Sequence, residues 1–281
     1  MARKDKGPKR DSIQEERQRI LTNDTPYAVR EAYVKLRTNL LFSVTNKKKG
    51  EPLVFVVTSS NQAEGKSTTA SNVAVSFAMM DMDTLLVDLD LRKPNIHTLW
   101  NLEKQGGLSN MLTNVGDYTI HDVKDIPLSI ITSGDIPPNP SELLASENFR
   151  EALKEMKKEF QIIILDTPPV NVVADAQIAA NQADGVLLVA RSGNTQDGDI
   201  KLAEETLKRS GAKISGIVLT AFDAKSSRYG YRYYGNYRYG SYKYGGYKYS
   251  QSYYSYYNTN SQDTDSSDSS SKNKSKRRKK R

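Results

Sequence analysis

The apolar run Leu53-Val54-Phe55-Val56-Val57 ends at a stretch of small and polar residues, and a helical period resumes at Ala70, Val73, Ala74 and Phe77. A strand apolar at every position has no face to offer water, so it belongs inside a sheet covered on both sides. The alternation recurs along the chain. Strands are predicted at Leu53–Thr58, Thr84–Asp88, Leu128–Thr132, Gln161–Asp166, Gly185–Ala190 and Ile214–Thr220. Helices are predicted over 26–42, with Thr25 as N-cap and Pro26 as first residue, and from about Gly65 to Met80. A third is capped by Ser141 and carries Phe149, Leu153, Met156 and Phe160; Ala174–Asn181 and Asp199–Ser210 complete the set. The expectation is an α/β fold, a mostly parallel sheet covered by helices on both faces.

The chain has 281 residues, enough for one such domain with tails. It has no cysteine, which excludes disulfides, thiolate metal sites and cysteine nucleophiles and fits a reducing compartment. The N-terminus is polar and charged, without the apolar run of a signal peptide. No apolar stretch approaches the roughly 20 residues that span a bilayer, so any membrane contact is expected through a surface or a partner. The two histidines, His97 and His121, are read as loop residues without ligand spacing, and Trp100 as packing.

Charge and aromatic content set the C-terminus apart. Fourteen of the seventeen tyrosines fall within 229–257, interleaved with Gly, Ser, Lys and Arg and with no Leu, Ile, Val or Phe. Such a segment cannot bury enough apolar surface to offset its chain entropy. Residues 225–281 carry net +11 and the rest of the chain −3. The expected organisation is a disordered basic N-terminus over 1–24, a folded domain over 25–224, and a disordered tyrosine-rich tail over 225–281 with a basic end. Each phosphotyrosine adds about −1.5 to −2 charges, so modifying half the cluster would cancel the tail's charge.

The segment Ser60-Asn61-Gln62-Ala63-Glu64-Gly65-Lys66-Ser67 fits the phosphate-loop pattern, with Ser60 in place of the first glycine. A strand ends before it and a helix begins within it, the context a P-loop NTPase requires. Backbone N–H groups of residues Ser60 through Thr68 are expected to cradle the phosphates of ATP. Lys66 would reach the β- and γ-phosphates, and the Ser67 hydroxyl would ligate Mg²⁺. The strand QIIILD ends at Asp166, which suits a second magnesium-site element. The segment LLVDLDLRKP places Asp88 and Asp90 at and beyond another strand end. In a parallel sheet these ends share one edge, so Asp88, Asp166 and the phosphate loop should converge. One carboxylate can serve the metal and another accept a hydroxyl proton; spacing leaves the division of roles open.

The set VVTSSNQAEGKSTTASNVAVSFA, LLVDLDLRKP, SGDIPPNPSELLAS, IIILDTPPV and the tyrosine cluster resembles the bacterial tyrosine kinases of capsule and exopolysaccharide synthesis, over roughly residues 25–257. The resemblance implies transfer of phosphate from ATP to protein tyrosine, mainly autophosphorylation of the tail between neighbouring subunits. The acceptors would be Tyr229, Tyr231, Tyr233, Tyr234, Tyr237, Tyr239, Tyr242, Tyr244, Tyr247, Tyr249, Tyr253, Tyr254, Tyr256 and Tyr257. By match of motif, Lys66, Asp88 and Asp90 would be catalytic, and Ser67, Asp88 and Asp166 would serve Mg²⁺. The family also implies a homo-oligomeric ring, tyrosine-bearing substrate proteins, and a transmembrane adaptor of the polysaccharide chain-length class that holds the kinase at the inner membrane face of the cytoplasm. Its subunit-contact pattern Glu-x-x-Arg-x-x-Arg is met by Glu31 and Arg37, with Val34 between. Gln62-Ala63 stands where Pro-Gly often precedes the loop glutamate, and Thr220 where related ATPases often carry an adenine-reading Asn.

Two other functions share some of these features. A partitioning or cell-division ATPase has the same fold, but its signature lysine near the loop start is replaced here by Ser59 and Ser60, and a tyrosine tail has no use there. A single-strand nucleic-acid binder would suit Tyr interleaved with Arg and Lys, yet leaves the loop and both aspartate motifs unused. Nucleic acid is therefore not the expected partner.

Overall fold

The computed structural model describes residues 10–222, apart from 46, 49, 114, 115 and 117. The expected domain end at 224 and all fourteen tail tyrosines lie outside the described residues. In chain order the elements are α1 (Arg10–Arg17), α2 (Tyr27–Ser43), β1 (Leu53–Ser59), α3 (Lys66–Ala78), β2 (Thr84–Asp88), α4 (Ile96–Trp100), α5 (Leu108–Thr113), β3 (His121–Asp122) and β4 (Leu128–Ile131). They continue through α6 (Pro140–Ala145), α7 (Glu147–Glu159), β5 (Ile162–Asp166), α8 (Asp175–Ala180), β6 (Gly185–Arg191), α9 (Asp197–Arg209) and β7 (Ile214–Thr220).

The strands form one sheet in the order β3-β4-β2-β5-β1-β6-β7, parallel except for the β3–β4 pair. Alternate residues of each apolar strand feed opposite layers. Val54, Val56, Leu85, Val87, Ile163 and Leu165 pack under Leu112, Phe149, Leu153 and Leu207 of α5, α7 and α9. Phe55, Val57, Leu86, Ile162 and Ile164 pack under Val73, Phe77, Leu40 and Leu99 of α3, α2 and α4. The expected α/β architecture with both faces covered is what forms.

Four local expectations are corrected. The helix expected to start at Ser141 is two helices. Pro140 opens the six-residue α6, and Ser146, in extended backbone (φ −69°, ψ 162°), accepts the Phe149 N–H at 3.4 Å and caps α7. The start of α2 also differs, because Pro26 occupies the N-cap and the Thr25 hydroxyl accepts the Thr22 N–H instead. His97 lies in α4 and His121 in β3, rather than in loops.

The fourth correction concerns the N-terminus, expected to be unstructured through residue 24. It holds α1 and then a segment fixed to the domain. Arg17 Nε donates to the Thr98 carbonyl at 2.8 Å, and Leu21 is buried beneath α3. Composition hid this because single contacts, not an apolar run, hold the segment.

Candidate active site

β1, β2 and β5 are neighbours, and their carboxyl ends lie at the position where strand order reverses around β1. Ligands bind at such an edge in open α/β sheets. Register makes the convergence specific: Val57 and Asp88 both pair with Asp166. Residues in register on parallel strands share a face, so Asp88 and Asp166 both lie on the α3 side, as the pattern of Leu86 and Ile164 in that layer shows.

The phosphate loop is built from small residues that its conformation demands. Gly65 caps α3 at φ 91° and Ala63 stands at φ 61°, both in the left-handed region that costs an L-residue about 1–2 kcal/mol. The loop's carbonyls are engaged outward. Thr220 Oγ1 donates to the Glu64 carbonyl at 2.7 Å, Arg191 Nη1 to that of Ala63 at 3.2 Å, and Ser59 Oγ to that of Asn61 at 2.7 Å. The first N–H groups of α3 have no carbonyl within the helix, and with the loop's carbonyls turned outward they face the site as anion donors.

Glu64 is the loop residue whose role the motif did not reveal. It is fully buried, accepts the Asn61 N–H at 3.0 Å and takes the Thr195 hydroxyl at 2.6 Å. Asn61 Nδ2 donates to Asp199 at 2.9 Å. The β6–α9 connection thus braces the loop from outside. Ser60, in the place of a glycine, is buried with its hydroxyl unpartnered among the described residues.

Lys66, Asp90 and Asp166 form the charged centre. Lys66 Nζ lies 2.9 Å from Asp90 Oδ2, 3.7 Å from Asp166 Oδ1 and 3.3 Å from Ser67 Oγ. Burial disfavours its charge, but Asp166 and Asp90 more than offset that and raise its pKa to about 12. Asp88 is locked from behind: one oxygen accepts the Asp90 N–H and the other the Ile96 N–H, each at 3.1 Å. Burial, then the Asp166 charge, pushes the Asp88 carboxyl up, with Lys66 opposing; burial likewise pushes Asp166 up against the pull of Lys66.

The donor set fits a hard divalent cation. Both Asp166 oxygens are buried without a hydrogen-bond donor, and the Ser67 hydroxyl and Asp88 belong to the same cluster. Among the described residues no three His, Cys, Asp or Glu side chains are placed to hold a metal alone. Mg²⁺ with one or two protein carboxylates ordinarily draws its remaining ligands from phosphate and water.

Two cavities flank the loop. One, of about 470 Å³, is lined by Lys66, Ser67, Asp90 and Lys93 together with Pro168 and Pro169. The other, of about 880 Å³, lies between α2, the end of β7 and the Thr68–Thr69 turn of α3. The Asp90 loop is held from its far side by Arg92, which donates Nε to buried Asp175 at 2.9 Å and Nη2 to Ser141 at 2.8 Å. Ser141, expected as a cap, is instead part of this clamp.

Lys66, Ser67, Asp88, Asp90 and Asp166 thus lie together at one sheet edge, with a few differences from the expected placement. Asp90 lines the cavity, whereas Asp88 is enclosed behind it. Thr220 touches the loop through the Glu64 carbonyl. Arg37, expected at a subunit contact, is buried and donates to the carbonyl and the hydroxyl of Ser76 in α3.

An AAA domain family matches residues 55–197. Tyrosine-protein kinase YwqD of Bacillus subtilis is 39% identical over 204 residues, covering 72% of this chain and 85% of that one. A putative tyrosine-protein kinase, CapB of Staphylococcus aureus, is 34% identical over 218 residues, covering 76% and 94%. The crystal structure of the chimerical protein CapA2B2 superimposes with a TM-score of 0.68 at 35% identity, over 72% of this chain and 89% of that one. A plasmid partition protein from Borrelia burgdorferi reaches 0.53 at 19% identity, over 66% and 87%, a likeness of fold alone.

Proposed function

This chain belongs to the bacterial tyrosine-protein kinases, and from that premise we propose that it moves the γ-phosphoryl group of ATP onto the tyrosines of its own C-terminal cluster, between neighbouring subunits. The observation that carries the proposal is the convergence of Lys66, Asp90 and Asp166 at 2.9 and 3.7 Å beside a braced phosphate loop. An ammonium in that place exchanges the Asp90 carboxylate for β- and γ-phosphate oxygens when nucleotide enters. The exchange frees Asp90, the carboxylate that lines the cavity, to accept the proton of an incoming phenol.

A tyrosine arrives protonated at neutral pH because its ordinary pKa is about 10. Its oxygen forms the new bond to the γ-phosphorus, the bond to the β–γ bridging oxygen breaks, and ADP leaves with that electron pair. Asp90 takes the phenol proton. Asp88, held by two backbone N–H groups, keeps the loop of Asp90 in place and, with Ser67 and Asp166, would hold Mg²⁺. That ion, when bound, neutralises charge on the transferring phosphate. The buried carboxyls of Asp88 and Asp166 make the centre depend on cations: Lys66 is one, the metal the other.

The tail supplies the acceptors. Its net +11 falls to zero or below once half its tyrosines are modified, and we assign to this change a weakening of a ring of subunits. Subunit contact through α2 then falls to Glu31 and its exposed neighbours, since Arg37 is committed to α3. A transmembrane adaptor of the polysaccharide chain-length class would bring the kinase to the membrane; among the described residues no helix is long and apolar enough to cross one. Capsule or exopolysaccharide synthesis is the process so regulated.

Incubation with γ-labelled ATP and Mg²⁺ tests the proposal. Label is expected on peptides from 229–257 in the wild type and to be absent in Lys66→Met. Equal labelling of both proteins, or label confined to other peptides, contradicts it.

A further inference from the structure

Residues 17–21 are held to the domain in part by an α3 side chain that also bonds the Tyr33 hydroxyl. Asn72, on α3 and 2% exposed, reads the backbone of this segment at two points: its Oδ1 accepts the Leu21 N–H at 2.8 Å, and its Nδ2 donates to the Arg19 carbonyl at 2.9 Å. Arg17 Nε fixes the segment to the Thr98 carbonyl on one side, and buried Leu21 anchors it on the other. Between these anchors stands Arg19.

The two cavities beside the phosphate loop share four lining residues: Arg19, Gly65, Thr68 and Arg191. Gly65 and Thr68 belong to the loop and the first turn of α3, where α- and β-phosphates are cradled by backbone N–H groups. Lys66 and Asp90 line the first cavity alone, and Thr220 and Ala221 the second alone. Arg19 therefore stands at the junction between the γ-phosphate end and the nucleoside end. Among the described residues its guanidinium has no hydrogen bond or ion pair, whereas Arg191 donates to the Ala63 carbonyl and Arg92 to Asp175. A planar guanidinium suits the oxygens of a diphosphate.

We propose that the N-terminal segment is a built part of the nucleotide site, with Arg19 contacting the α- and β-phosphates and Asn72 positioning it through the backbone of residues 19 and 21. The proposal rests on the assignment of ATP to this edge. It differs from the role of Lys66 in a measurable way: a contact to the α- and β-phosphates serves ADP as well as ATP.

The test is titration of the full-length protein with fluorescent ADP and a non-hydrolysable ATP analogue. The proteins are wild type, Arg19→Ala, Arg19→Lys, Asn72→Ala and the Arg19→Ala/Asn72→Ala double variant. Arg19→Ala should weaken both nucleotides alike by about tenfold, the loss of one charge-assisted hydrogen bond, and leave adenosine unchanged. Arg19→Lys should recover part of the loss. Asn72→Ala should match Arg19→Ala, and the double variant should add less than twofold, because both remove one contact. Should Asn72→Ala fail to fold, a smaller salt dependence of nucleotide binding in Arg19→Ala than in wild type still tests the phosphate contact of Arg19.

ADP binding by Arg19→Ala within twofold of wild type would overturn this inference, making Arg19 a solvated rim charge. So would additive losses in a folded double variant. If the wild type binds neither nucleotide, or Lys66→Met binds both as wild type does, the assignment of ATP to this edge falls and this proposal with it.

Discussion

At the scale of single residues, the carboxyls of Asp88 and Asp166 stand side by side in register, fully enclosed, with one ammonium between them and Asp90. Both have their pKa values raised, chiefly by burial. An acid raised in the fold keeps its proton after the unfolded chain has lost it. Stability is then greatest below the ordinary carboxylate value of about 4 and declines as pH climbs toward the raised value. His97, lowered by burial, contributes the opposite slope near neutrality, so the signal is a difference between variants. Without metal or nucleotide, the melting temperature of the wild type should fall relative to Asp88→Asn as pH rises from 5 to 8. Thermal melts with parallel pH dependence would refute it.

Ala63 gives a second residue-scale test. Its φ of 61° is one glycine adopts freely. Ala63→Gly should stabilise by up to about 1 kcal/mol, the left-handed strain less the added freedom of the unfolded chain, measured by urea denaturation. The motif made Lys66, Ser67 and the three aspartates legible in the sequence because each is a fixed distance from a strand end. The bracing role of the Glu64 side chain and the clamp of Arg92 were not, since their partners Thr195 and Asp175 lie 131 and 83 residues away.

At the scale of elements, periodicity placed every central strand, because a buried parallel strand is apolar throughout and has few competing patterns. Helix ends were less legible. Phe149, Leu153 and Met156 do share a buried face of α7, yet the pattern cannot tell which of two serines, Ser141 or Ser146, caps it. Hydrogen bonding decides. Ser146→Ala should cost about 1 kcal/mol, or roughly 2–4 °C in melting temperature for a domain of this size, with phosphotransfer retained. Ser141→Ala should leave α7 intact and act through the Arg92–Asp175 clamp. Circular dichroism melts separate the two. The short elements α4, α5 and β3 and the fixed N-terminal segment escaped the sequence because tertiary contacts, not local pattern, form them.

At the scale of the whole molecule, the described residues form one sheet with helices on both faces, and the sequence beyond them carries the tyrosine cluster. Parallel topology gathers the ends of β1, β2 and β5 at one edge, and this follows from alternation of strands and helices alone. Composition likewise separated the basic tyrosine cluster from residues 1–224, of net −3. If phosphorylation reverses the tail's charge, the fully phosphorylated protein should sediment as smaller assemblies than a variant with the fourteen tyrosines changed to phenylalanine. Equal sedimentation would contradict the electrostatic switch.

The most direct measurement mixes two proteins, each lacking half the machinery. One is Lys66→Met with its tail intact; the other is an active chain ending at Phe222. With γ-labelled ATP and Mg²⁺, label is expected on peptides from 229–257 of the Lys66→Met partner, and none when either protein is incubated alone. An unlabelled tail in the mixture, with the full-length wild type active beside it, would contradict transfer from one subunit's nucleotide site to its neighbour's tyrosines.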